Sequence, residues 1–240
     1  MATATPRPDD FLARLEAAIA ATGLVARGRL AVPAEDGLPP LPDGRPARTL
    51  FLVGRASRQG WSAFAASPES RDRRPDPLDR WSVRVIGELA DRFGAAALYP
   101  FAGPPWWPFQ RWAMRAEPVF LSPLGLLVHP VHGLWHAWRG ALAFAEDLGE
   151  TSPAPTAVSP CTACTARPCL TTCPVDAFSA AGYDVARCVA HLESPLGALC
   201  RTDGCRARDA CPIGCGRRYA DEEIRFLMRA FRAARSKDTR

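Results

Sequence analysis

Apolar residues at Phe11, Leu12, Leu15, Ala18 and Ile19 recur at helical spacing, with Asp9 or Asp10 available as N-cap and Gly23 as the stop, so a helix is expected over Phe11 to Ala21. The Pro- and Gly-rich stretch from Pro33 to Pro46 cannot hold regular structure. It leads into Thr49-Leu50-Phe51-Leu52-Val53-Gly54, a continuous apolar run that reads as a buried strand of a parallel sheet. Leu78, Trp81, Val85, Leu89 and Phe93 again repeat at helical spacing, and Gly94 closes that segment before a second short strand, Ala95 to Tyr99. Strand, helix and strand in succession predict an α/β first domain.

The segment Pro100 to Pro108 holds four prolines and the adjacent Trp106 and Trp107, so it reads as a loop, and the two tryptophans argue that it is ordered. A helix is expected from about Pro108 to Glu117. From Val119 to Trp138, periodicity alone leaves helix and strand both open. The Ser-, Thr- and Pro-containing stretch 151–160 reads as a linker. Near the end of the sequence, Asp221, Glu222 and Glu223 precede Ile224, Leu227, Met228 and Phe231. These form an amphipathic helix with acids at its positive end, expected to pack back on one of the domains. The organisation expected is therefore residues 1–150 as an α/β domain with a ligand pocket, 151–160 as a linker, 161–216 as a cysteine-rich module and 217–240 as a C-terminal helix.

Composition narrows the class of protein. With 48% hydrophobic and 23% charged residues, the chain is neither disordered nor fibrous in character. The net charge of +5 is modest; Arg71, Arg73, Arg74 and the tail from Arg229 to Arg240 are local excesses that read as solvated surface rather than as a nucleic-acid face. No apolar run approaches the roughly 20 residues of a membrane span, and the first residues lack the features of a signal peptide, so a cytoplasmic protein without membrane association is expected. All nine cysteines lie after residue 160. In a reducing compartment such crowding points to metal rather than to disulfides.

The first cysteine run is Cys161, Cys164, Cys169 and Cys173 followed by Pro174, with intervals of two, four and three residues. Two-cluster bacterial ferredoxins use C-x2-C-x2-C-x3-C-P, in which three thiolates hold one [4Fe–4S] cluster and the fourth crosses to the other. This run differs by two inserted residues in the loop that holds Arg167 and Pro168. The second run, Cys188, Cys200, Cys205 and Cys211 followed by Pro212, repeats the four-residue interval and the closing Cys-Pro pair. The crossing rule then assigns Cys161, Cys164, Cys169 and Cys211 to one cluster and Cys173, Cys188, Cys200 and Cys205 to the other, with Cys215 left over. Two zinc sites of four thiolates each are the alternative, since tetrahedral thiolate ligation suits zinc as well. Against zinc, four cysteines fall within 13 residues and both runs end in Cys-Pro.

Other chemistry-bearing residues gather before the cysteines. Five of the seven tryptophans, Trp106, Trp107, Trp112, Trp135 and Trp138, read either as packed core or as a flat aromatic pocket for a planar cofactor. Trp106, Trp107, Arg111, His129 and Trp135 are the candidate pocket residues, with Arg115 and Arg139 as further anchors for an anion. His129, His132 and His136 make one face if the segment is helical; beside Pro130, His129 reads as a turn residue. His191, three residues after Cys188, is expected near a cluster rather than as its ligand, and Cys215 reads as a reserve ligand, a free thiol or, most commonly for such a residue, a small buried one.

The cysteine pattern, with the lone Cys188 in Arg-Cys-Val-Ala-His-Leu, resembles the dicluster module of epoxyqueuosine reductases. Leu126-Leu127-Val128-His129-Pro130-Val131-His132-Gly133-Leu134-Trp135 resembles that family's Leu-Leu-Leu-His-Pro-x-x-Gly-x-Trp segment, and the similarity spans roughly Ala95 to Cys211. It implies an α+β chain, with an N-terminal α/β cobalamin-domain-like portion followed by a two-cluster ferredoxin-like module that feeds electrons to cobalt, and with tRNA as the substrate class. It also implies that Val119 to Phe144 is largely strand. Three departures stand out: Ser122-Pro123-Leu124 replaces the family's Gly-Lys-Asn string, Gly103 stands at the place of its acidic proton donor, and the loop Pro104-Pro105-Trp106-Trp107 has no equivalent. Glycine cannot donate a proton.

The expected function is electron transfer by two [4Fe–4S] clusters, as part of a small oxidoreductase exchanging electrons with a redox protein or a small molecule. A cobalamin-dependent reductase and a module that uses its clusters only for folding are the two other readings.

Overall fold

The computed structural model describes residues 8–151, 157–179 and 181–238. They form a mixed α+β chain with two compact units. The first comprises the described residues through Pro118 and those from Ala137 to Thr151; the second comprises Val119–His136 and the described residues from Ala157 onward.

In the first unit, α1 (Pro8–Ala21) is followed by β1 (Val25–Ala31) and β2 (Thr49–Ala56). Next come α2 (Trp61–Ala66), α3 (Pro68–Arg71), α4 (Pro77–Phe93), β3 (Ala96–Leu98) and α5 (Phe109–Ala116). The chain then passes through β4 (Phe120–Leu121) and β5 (Leu127–Val128), which belong to the second unit, before β6 (His136–Phe144) rejoins the first. Asp9 and Asp10 lie in the first turn of α1 rather than at its cap. There they still complement the positive end of the helix.

The sheet has the order β1-β2-β6-β3 and is antiparallel, which corrects the parallel reading of Thr49 to Gly54. Every residue of β2 is buried, so its unbroken apolar run reports cover on both faces and carries no information about strand direction. The expected strand–helix–strand unit does exist as β2, α4 and β3, but β6 from further along the chain lies between the two strands. Gly54 makes that insertion sterically feasible, since a Cβ there would stand 2.2 Å from the Ala137 carbonyl oxygen. Edge-to-face contacts of Phe11 with Phe93 (5.8 Å) and Phe144 (5.7 Å) tie α1 to α4 and to the sheet.

The second unit opens with the β4–β5 hairpin and the turn from His129 to Gly133. It continues with α6 (Pro168–Thr171), the hairpin of β7 (Phe178–Ser179) and β8 (Gly182–Tyr183), α7 (Val185–Glu193), α8 (Ala198–Thr202), α9 (Arg206–Asp209) and α10 (Asp221–Asp238). Val119 to Phe144 contains no helix, and its strands are joined by long turns. Residues Val119–His136 pack with the cysteine-rich part, whereas the sequence pattern groups them with residues 1–150. The reason is steric: Gly133, at φ 56°, meets the chain just after Cys211-Pro212 so closely that a Cβ would stand 1.8 Å from the Ile213 carbonyl oxygen. The C-terminal helix packs back on α7 and α8, and Arg232 pairs with Glu193 at 2.9 Å. The expected linker falls largely on residues 152–156, outside the described residues. No helix among the described residues is long and apolar enough to cross a membrane.

Candidate metal centre

Short helices and tight turns bring the cysteines together. Arg167, in the left-handed region at φ 39°, lets the inserted loop turn into Pro168, which starts α6 and sets Cys169 in its first turn. Cys188 lies in the middle of α7, whose N-terminus is capped by the Asp184 side chain accepting the Arg187 N–H at 2.9 Å. Cys200 is on α8, Cys205 immediately precedes α9, and Cys211 follows it.

Two cavities in this unit are each lined by four thiols. The larger, about 360 Å³, is bounded by Cys173, Cys188, Cys200 and Cys205 together with Phe178, Tyr183, His191, Leu192 and Met228. The smaller, about 20 Å³, is bounded by Cys161, Cys164, Cys169 and Cys211 with Leu124, Leu134 and Ile213. Cys215 is exposed and lines neither, so of the readings open to it the buried one does not hold.

The electrostatics divide the thiols in the same way. Burial pushes Cys211 up, and so do Cys169, Cys161 and Cys164, while the Ile213 N–H works the other way. Burial also raises Cys200, with Cys188 and Cys173 adding to it. Cys205 is raised by burial against the backbone N–H groups of Arg208 and Ala207, which favour its thiolate. Cys188 is raised by burial, opposed by its hydrogen bond with the Tyr183 hydroxyl, and burial pushes Tyr183 itself strongly upward. Ala177 N–H donates to Cys173 Sγ at 3.3 Å. Burial thus favours the thiol form of Cys188, Cys200, Cys205 and Cys211, and backbone N–H donors are already aimed at Cys173, Cys205 and Cys211. Metal coordination deprotonates such a thiol.

A single zinc ion with Zn–S bonds of about 2.3 Å needs sulfurs only about 3.8 Å apart. Among the described residues, no three His, Cys, Asp or Glu side chains converge on one ion position. The Cys173 set surrounds a cavity of about 360 Å³ and the Cys161 set one of about 20 Å³, and four thiols are the donor set that a four-iron cluster takes.

The residues named for an aromatic pocket are distributed over both units. Trp106, Trp107 and Arg111 belong to the first unit, and His129 and Trp135 to the second. Trp106 is 66% exposed, Trp107 stacks on Trp112 at 6.3 Å, and Arg111 pairs with Asp36. His129 Nδ1 accepts the backbone N–H groups of Val131 (3.0 Å) and His132 (3.2 Å), the turn role expected of it. Trp135 is buried against Tyr219 at 5.3 Å, under the Arg208 guanidinium at 4.3 Å. It is core rather than pocket wall. Arg139 pairs with Asp79, and His136 Nε2 meets the Leu127 carbonyl oxygen at 2.9 Å. Sequence reasoning did not single out Tyr183 or Arg208. Tyr183 lies just before the Asp184 cap, a position that a helix-start reading reaches, whereas nothing in the sequence marks Arg208.

No family model matches this sequence, and no curated protein matches it either. Its fold belongs to a class of mixed α+β chains found among solved structures. One is the B12-trafficking protein CblC of C. elegans, at 13% identity over 93% of this chain and 96% of that one, with a TM-score of 0.51. Another is an epoxyqueuosine reductase, at 12% identity over 91% of this chain and 69% of that one, also with a TM-score of 0.51. At such identities the likeness is one of fold.

Proposed function

We propose that the chain is an iron–sulfur electron-transfer protein, the electron-delivering part of a small oxidoreductase, with one [4Fe–4S] cluster on Cys161, Cys164, Cys169 and Cys211 and another on Cys173, Cys188, Cys200 and Cys205. The observation that carries this reading is the pair of cavities, each lined by three cysteines of one run and one of the other. Bound there, each cluster takes up and releases one electron at a time. The chain contributes burial, which limits water at the sulfurs, and N–H donors such as those of Ala177 and Ile213, which offset added negative charge. The partner is a redox protein or a small molecule.

Anaerobic purification followed by iron, sulfide, zinc and cobalt analysis tests the reading. A brown protein with broad absorbance near about 400 nm, bleached by dithionite, is expected; a colourless protein containing zinc would overturn it. The likeness in fold to a B12-trafficking protein and to epoxyqueuosine reductase favours a second reading, a cobalamin-dependent reductase. Stoichiometric binding of added cobalamin, seen as a protein-bound cobalt spectrum, separates the two.

A further inference from the structure

His191 follows Cys188 by three residues on α7, so the two side chains share a helix face, and both line the larger cavity. Nε2 of His191 is buried and has no hydrogen-bond partner within the protein. The same holds for Nε of Arg208, another residue of that cavity wall. Arg208 is held from its other side: Nη2 donates to the Leu134 carbonyl oxygen, and the guanidinium lies 4.3 Å from the Trp135 ring and 5.1 Å from that of Tyr219. A buried polar group without a partner costs about 1–3 kcal/mol; Arg208 Nε–H can only donate, and His191 Nε2 donates in the tautomer that protonates it, so the pair calls for an acceptor inside that cavity. Besides these two and its four thiols, the wall carries Arg206 and the Tyr183 hydroxyl, which already bonds Cys188, and the rest is apolar.

We infer that His191 Nε2–H and Arg208 Nε–H donate to the sulfurs of the cluster held by Cys173, Cys188, Cys200 and Cys205, and make it the higher-potential of the two. The inference rests on the cluster assignment above and adds two positioning residues to it. Hydrogen bonds and positive charge at the sulfurs stabilise the reduced, more negative state. The smaller cavity has no unpartnered buried side-chain nitrogen among its described wall residues. Electrons therefore pass from the Cys161 set, which is oxidised by one electron, to the Cys173 set, which is reduced by one. No bond is made or broken, and His191 keeps its proton. The low-potential electron entering the Cys161 set comes from an external one-electron donor, a flavin or iron–sulfur carrier in the cell and dithionite in the test.

The test is a potentiometric titration of the full-length protein, followed by electron paramagnetic resonance, for wild type, His191→Phe and His191→Gln. Iron and sulfide content is measured first. If the wild type holds no clusters, the cluster assignment fails and this inference with it. With both clusters present, His191→Phe should lower the reduced-to-oxidised ratio of the higher-potential cluster about tenfold at fixed poise, or about 59 mV for one electron. His191→Gln, which keeps an N–H donor, should restore most of it, and the lower-potential cluster should not move. An unchanged potential in His191→Phe, or a shift confined to the lower-potential cluster, would overturn the inference while leaving the cluster assignment standing. Pulsed resonance on reduced wild-type protein carrying isotope-labelled histidine avoids any folding defect of a variant: a histidine nitrogen coupling is expected, and its absence would also overturn the inference.

Discussion

Cys211 shares a cavity with Cys169, although it closes the other cysteine run and is followed by its own proline. Cys173, which closes the first run, correspondingly lies with Cys188, Cys200 and Cys205. Each run thus depends on the other for its fourth sulfur.

Single substitutions at the crossing positions should therefore remove one cluster each. Cys211→Ala and Cys173→Ala are expected to retain about four of the roughly eight irons of a two-cluster chain, and the exposed Cys215→Ala to retain all of them. Iron and sulfide analysis after anaerobic purification reads the result. Full content in both crossing variants would show that the thiols are not ligands.

Gly133 and Gly214 meet backbone to backbone, so that a Cβ at Gly214 would stand 2.5 Å from the Gly133 nitrogen. Gly133→Ala places a Cβ against the Ile213 carbonyl and forces a non-glycine residue to φ 56°. The expected cost is more than about 2 kcal/mol. Because Ile213 is the donor to Cys211, the loss should appear first as iron missing from the Cys161 set, measured by comparison with Cys211→Ala.

The two cysteine runs could be read from the chain because each ends in a short-range motif, Cys-Pro. Helices α1, α4, α5 and α10 were legible for a related reason, since amphipathic spacing and stop glycines are local. The packing of Val119–His136 with the cysteine-rich part was not legible, because it depends on two glycines far apart in sequence that touch only in the fold. Strand direction was hidden for a similar reason. Burial on both faces gives β2 the same apolar run in either orientation, and β6 enters the sheet from beyond the hairpin. The role of Trp135 was not legible because tryptophan is common both in cores and in ligand sites, and here it packs against Tyr219 and Arg208.

In the first unit, Arg27 and Glu117 form an ion pair at 2.9 Å with side chains only 3% and 11% exposed. Burial pushes the Glu117 carboxyl up, with Arg27 and the Trp138 indole N–H opposing. Removing the cation alone should be costly, about 3–5 kcal/mol for Arg27→Met, because the carboxylate then stays buried without its partner. Arg27→Met combined with Glu117→Gln should recover most of that loss. Chemical denaturation followed by tryptophan fluorescence compares the three proteins, and equal losses in the single and double variants would contradict the argument.

The Arg84 guanidinium holds the Glu69 carboxyl down at about 2, against an ordinary value of 4.5, through hydrogen bonds of 2.6 and 3.2 Å. A carboxylate whose value is lower in the folded state binds fewer protons there than in the unfolded chain. Its contribution is therefore fully present above about pH 4.5 and is lost as the pH falls toward 2. Because the Arg84 side chain is 42% exposed, solvent weakens the pair, and the contribution is expected to be about 1–2 kcal/mol. Glu69→Gln should lower stability by that amount at pH 6 and by progressively less at pH 4 and pH 3, where the wild type loses the same contribution on its own. Denaturant midpoints for the two proteins at the three pH values measure this directly, and a difference that persists unchanged at pH 3 would place the stabilisation in packing rather than in the charge of Glu69.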